Sequence, residues 1–109
     1  MADVKMIVMY SLPTDIDKFE SIYHAEQVPM AIAKLDGKTK IIATKVFGSL
    51  QKTAAFHRIA EVHFPSMGVL EACAASEGGR QVLAHAASNS SGGPPVILVA
   101  EEETVDFAK

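Results

Sequence analysis

Apolar and polar positions follow a period of two over residues 4–11, VKMIVMYS, which read as a strand bounded by Pro13. Val4, Met6, Val8 and Tyr10 point one way; Ile7, Met9 and Ser11 point the other. Both sets are largely apolar. The period then changes. Over residues 14–31, Ile16, Phe19, Tyr23 and Met30 recur at helical spacing. Thr14 offers an N-cap, and Asp15 and Asp17 put negative charge in the first turn. Pro29 has no N–H and collides with the turn before it, so the helix is expected to end or kink just short of it. Leu35, Asp36 and Gly37 are turn chemistry, followed by the β-branched run 40–47 as a second strand. Residues 48–53 then have the length of a hairpin connection.

Residues 54–64, AAFHRIAEVHF, form the third strand. Phe56, Ala60, Val62 and Phe64 tend to one face, interrupted by Arg58, while His57, Ile59, Glu61 and His63 share the other. Pro65 ends this strand and Ser66 caps a second helix, with Met67, Leu70, Cys73 and Ala74 on its apolar face. Gly78 and Gly79 are expected to break that helix, leaving a further short one over 80–87. Residues 88–95, SNSSGGPP, are a polar, Gly-rich loop, and 96–100, VILVA, a fourth strand apolar on both faces. The acidic end after it extends the strand or stays free of it.

The order is βαββαβ, two split βαβ halves, which is the ferredoxin-like pattern. The class is α+β: a four-stranded antiparallel sheet with the helices on one face. One helix layer covers only one sheet face, yet the first and fourth strands are apolar on both. The uncovered face is larger than a monomer usually leaves bare, so a second copy packed through it is expected, making a homodimer.

Composition narrows the field. The 109 residues fit one domain, 1–109. With a formal charge of −3 and no cluster of Lys or Arg, no nucleic-acid partner is expected. Cys73 is the single cysteine, so no internal disulfide can form; with no signal peptide in view, a reducing, cytoplasmic setting is expected. No run is long and apolar enough for a membrane span. Neither a phosphate-cradling glycine loop nor a nucleophile motif is present, and no cofactor is expected.

Two groups of residues carry candidate chemistry. Tyr23, His24 and Gln27 place a phenol, a titratable ring and an amide on one helix. They form a small-molecule site, or Tyr23 is core and the other two are wet surface. His57, Ile59, Glu61 and His63 alternate on one strand; the two histidines and the carboxylate serve proton transfer in a hollow, or a hydrogen-bond network at a dimer interface. His57 and His63 lie about 20 Å apart along a strand, so they cannot chelate one ion within a chain and no metal is expected. His85, isolated in an Ala-rich helix, reads as surface or boundary.

The chain resembles the EthD family, linked to ethyl tert-butyl ether degradation, within the dimeric α+β barrel superfamily. The likeness spans residues 4–102 and rests first on Phe19, Tyr23, His24 and Pro29-Met30, then on Arg58-Ile59-Ala60-Glu61 with Phe64 and Ser76-Glu77-Gly78. Two positions depart from the family pattern. Gln27 stands where the family commonly has a second histidine, and His85 stands near a family Asp, with no aromatic after it. The resemblance implies a homodimer whose sheets enclose a barrel with a cavity for a small apolar molecule. One implied activity is a cofactor-free oxidoreductase or isomerase acting on ether or aromatic compounds. His24 would then be the acid/base, Tyr23 its hydrogen-bonding partner and Glu61 or His63 its support, with Gln27, His57 and Ile59 at the substrate. The alternative is a non-catalytic accessory or ligand-binding module that supports a monooxygenase system.

Overall fold

The structure, a computed structural model, describes residues 3–51 and 53–108. Strands β1 (Asp3–Ser11), β2 (Lys40–Lys45), β3 (Phe56–Phe64) and β4 (Val96–Glu102) form one antiparallel sheet in the order β2-β3-β1-β4. This is the ferredoxin-like arrangement expected from the element order. Helices α1 (Ile16–Ile22) and α2 (Val28–Lys34) follow β1, and α3 (Met67–Ala75) and α4 (Glu77–Ser88) follow β3. Met6, Val8 and Tyr10 of β1 and Val62 and Phe64 of β3 meet Phe19, Tyr23, Leu70, Cys73 and Val82 in a single core between sheet and helices. Burial pushes the Cys73 thiol up, which suits an inert packing role. Among the described residues no helix is long and apolar enough to cross a membrane.

The first helical stretch differs from expectation at its start. Its N-cap is Asp15, not Thr14: the Asp15 carboxylate accepts from the Lys18 N–H at 3.0 Å. Of the two outcomes expected at Pro29, the helix takes an interruption just short of it rather than an end. Residues Tyr23–Gln27 form a π-turn that joins α1 to α2, in which the Val28 N–H reaches back to the Tyr23 carbonyl. Proline cannot donate to the carbonyl four residues earlier and crowds it, so the wider turn carries the chain past Pro29. At the far end the Lys38 ammonium caps the carbonyls of Ile32 (2.7 Å) and Leu35 (2.9 Å).

The break between α3 and α4 falls at Ser76 rather than at the glycine pair. The Ser76 hydroxyl donates to the Cys73 carbonyl at 2.6 Å and accepts from the Gly79 N–H at 3.0 Å, closing one helix and opening the next. Gly78 and Gly79 lie within the first turn of α4. Gly79 is there for close approach: a Cβ on it would stand 2.0 Å from the Cys73 carbonyl oxygen.

One sheet face carries no helices. Ile7 and Met9 of β1, Ile59 of β3 and Ile42 of β2 share it with Leu98 of β4, by the strand registers. The edge strand β4 is open on both sides, with Val96, Ile97, Leu98 and Val99 between 40% and 51% exposed. Within this apolar face sits a charged group: Lys5 bonds Glu61 at 2.5 Å and Glu102 at 3.0 Å, beside fully buried His63.

Two of the helical glycines give a contrast. Gly79→Ala should destabilise by about 2 kcal/mol or more, since helix backbone must move. Gly68→Ala, where a Cβ meets nothing closer than 3.9 Å, should be neutral or stabilise by about 0.5–1 kcal/mol. Urea unfolding of both variants checks this; equal effects would count against the α3–α4 packing described.

Candidate functional site

A charged side chain on the inward face of a strand needs a partner, and Arg58 has one. Its side chain is only 9% exposed. Its Nε donates to Glu20 Oε2 at 3.0 Å and its Nη2 to Glu20 Oε1 at 2.7 Å, a two-point clamp between β3 and α1. The guanidinium also lies 4.9 Å over the centre of the Tyr23 ring. Tyr10, Phe19 and Tyr23 pack ring against ring beneath it, with centroids 5.2–5.6 Å apart.

His57 joins the same cluster, contrary to the alternation read from the sequence. Arg58 pairs with Tyr10 but Phe56 pairs with Ser11, so His57 is an extra residue bulged out of the register. The bulge turns the His57 ring to the helix side, where Nε2 donates to Glu20 Oε2 at 3.1 Å and the ring meets the Phe19 edge. The Lys45 ammonium stands 3.8 Å from the same carboxylate. His24, one turn after Glu20 on the helix, accepts from Arg58 Nη2 at 3.0 Å through Nε2. That assignment makes His24 the neutral tautomer with hydrogen on Nδ1. Its contact with Tyr23 is ring edge to ring face, with no hydrogen bond between the two.

Electrostatics assigns Glu20 its role. The Arg58 hydrogen bonds pull its carboxyl down to about 2, against partial burial and with help from His57. It is therefore ionised throughout the neutral range and serves as an anchor rather than a proton shuttle. Burial pushes the Tyr10 and Tyr23 phenols up, so both remain hydrogen-bond donors.

Beyond Tyr23, between the helices and the sheet, lies a cavity of about 40 Å³. Met6, Val8, Ala43, Ala60 and Val62 form its floor, and Val28, Ala31, Val82 and Ala86 its roof; Tyr10, Tyr23 and Gln27 also line it. The Gln27 amide is held in place. Its Nε2 donates to the Val82 carbonyl at 3.3 Å, and its Oε1 accepts from His85 Nδ1. His85 Nε2 reaches Glu26 Oε1 at 3.1 Å. The Val82 carbonyl fixes the amide's orientation, so its oxygen faces the His85 ring, whose other nitrogen faces Glu26.

The sequence-derived candidates thus fall into separate places. Tyr23 and Gln27 line the cavity, while His24 and His57 do not line it and gather around Glu20. Ile59, Glu61 and His63 lie on the opposite sheet face and do not converge with them. There, ligand atoms of Glu61, His63 and Glu102 come within 4.8 Å of one another, but the Lys5 ammonium already acts as the cation between the two carboxylates. The hollow expected between two sheets is not where the single subunit has its cavity, which is roofed by its own helices. Glu20, Lys45 and His85 were missed as site residues. Their signals were slight: Glu20 stands four residues before His24, and Arg58 interrupts an otherwise apolar strand face.

A structure of an ethyl tert-butyl ether d (ethd) family protein from Bacillus halodurans superposes with a TM-score of 0.84 at 22% identity, covering 94% of this chain and 100% of that one. The fold is that of an EthD-family protein. A dimeric ferredoxin-like protein of unknown function from Jannaschia superposes with a TM-score of 0.64 at 16% identity over 94% of this chain and 99% of that one. A cofactor-independent oxygenase from Streptomyces nogalater does so at 0.63 and 8% identity over 98% and 97%. No protein-family model and no curated protein matches the sequence. The EthD-like frame thus rests on shape and on the elements described above.

The anchor predicts a pH effect with a definite sign. The folded Glu20 carboxyl titrates near 2 against an ordinary 4.5, so its stabilisation is complete above about pH 5 and is lost as pH falls toward 2. Glu20→Gln should cost about 3 kcal/mol at pH 7, because Arg58 is left without its anionic partner. The gap between variant and wild type should close between pH 5 and pH 2, as followed by urea unfolding. A gap that stays constant with pH would contradict the anchor role.

Proposed function

We propose that this protein binds a small, mainly apolar molecule carrying an oxygen acceptor, in the cavity between helix layer and sheet of each subunit of a homodimer. The observation that carries this reading is the cavity itself: small and apolar side chains wall it, and two protonated phenols line it. At about 40 Å³ it holds no more than water-sized bodies, so a ligand needs a wall that yields. The π-turn supplies one. It carries both Tyr23 and Gln27, and such turns are rare within helices and frequent at functional sites. An ether, ketone or phenol would place its oxygen at a phenol donor and its apolar body over Ala43, Ala60 and Ala86.

The uncovered apolar face supports the homodimer, as does the dimeric state of the similar Jannaschia protein. Binding without turnover is the favoured activity. His24 spends its lone pair on Arg58, Glu20 is ionised, and Gln27, at the position of the family histidine, is fully engaged. The similar fold of a cofactor-independent oxygenase keeps a cofactor-free oxidation as the second reading, with His24 taking a proton once Arg58 releases it. Service beside a monooxygenase system and a cytoplasmic location belong to the same proposal.

A test uses anisole and propylbenzene as probes. Anisole should raise the melting temperature of the wild type. Tyr23→Phe should weaken anisole binding by about fivefold, the loss of one neutral hydrogen bond, and leave propylbenzene unchanged. Ala60→Leu, which fills the floor, should abolish the effect of both. Undiminished binding to Ala60→Leu would rule out the cavity as the site, and an oxidised product of anisole would favour the catalytic reading.

A further inference from the structure

A second recess lies outside the cavity just described. It has a volume of about 490 Å³ and opens at the end of the sheet where β1 leaves, β2 ends and β3 begins. Leu12, Ile16, Val46 and Phe47 give it apolar walls, and Lys45 and His57 lie at its inner end. Leu12 and Ile16 are 40% and 45% exposed, and Phe47 is 96% exposed, so these walls face open space.

The inner end has an unbalanced charge. Lys45 and Arg58 both address Glu20, and two cations on one carboxylate leave a surplus positive charge even with both histidines neutral. The two are not held alike. Arg58 takes both carboxylate oxygens at hydrogen-bond distance, whereas Lys45 stands 3.8 Å away with a side chain 45% exposed. The Lys45 ammonium is thus the cation with donors to spare, and it borders the recess. A bound group of opposite charge completes the set there.

We propose that this recess binds a small organic carboxylate with an apolar or aromatic body. Its carboxylate pairs with the Lys45 ammonium beside His57, and its body lies on Leu12, Ile16, Val46 and Phe47. The apolar walls exclude a bare inorganic anion as the best fit, and among the described residues Lys45 is the loosely held cation at the recess. The recess is separate from the apolar cavity: of the residues named here, none lines that cavity.

The experiment is titration of the full chain with phenylacetate and with phenylacetamide, its uncharged counterpart, followed by ¹H–¹⁵N spectra. Phenylacetate should shift the amides of Val46, Ala54 and His57, and phenylacetamide should bind about fivefold more weakly, the worth of a partly exposed ion pair. Lys45→Met keeps the stem length on an exposed edge strand and should remove that preference. Leu12→Asp should weaken both probes through the wall. Equal affinity of the two probes for the wild type overturns the proposal, as does unchanged preference in Lys45→Met. Shifts confined to Ala60 and Val82 also overturn it, since they would place the probes in the inner cavity.

Discussion

A guanidinium on the inner face of a sheet constrains everything packed over it. Arg58 occupies a position that alternation would give to an apolar residue, and it cannot leave its charge unpaired. Glu20 meets it from the helix with both oxygens. That contact sets the rotation of α1 against β3. Once Glu20 is directed at Arg58, Phe19 and Tyr23 turn into the core and Tyr23 slides beneath the guanidinium. His24 and Lys45 then fall within reach of the same cluster. The charged seam is thus organised around one part-buried ion pair.

The broad plan was legible because it rests on patterns that survive tertiary packing. Period-two runs marked the strands, Ser66 marked a helix start, and the element order gave the sheet topology. What stayed hidden depends on single backbone events. A bulge adds one residue to a strand without altering its composition, so His57 looked as though it shared a face with Ile59 and Glu61. The π-turn is an accommodation of Pro29, and a proline alone does not say whether a helix stops or widens. Ser76 capping two helices through one hydroxyl likewise looked less telling than the adjacent glycine pair.

The candidate site was half legible for the same reason. Tyr23 and Gln27 do line a cavity, while Glu61 and His63 belong to the far face with Lys5. The amide at position 27 acquires a physical meaning in the structure. An amide held by the Val82 carbonyl and His85 keeps the wall polar at one point without offering a proton acceptor near neutrality. His85, which seemed isolated in its helix, is the partner that makes Gln27 tenable.

The helix layer's attachment can be measured by a double-mutant cycle on Glu20→Gln and Arg58→Met, read by urea unfolding at pH 7. Because Glu20 and Arg58 are each other's main charged partner, the double variant should be far less destabilised than the two single changes added together. A coupling of about 2 kcal/mol or more is expected. A coupling near zero would mean that helix and sheet are held by apolar packing alone, and the ion pair would then not organise the site.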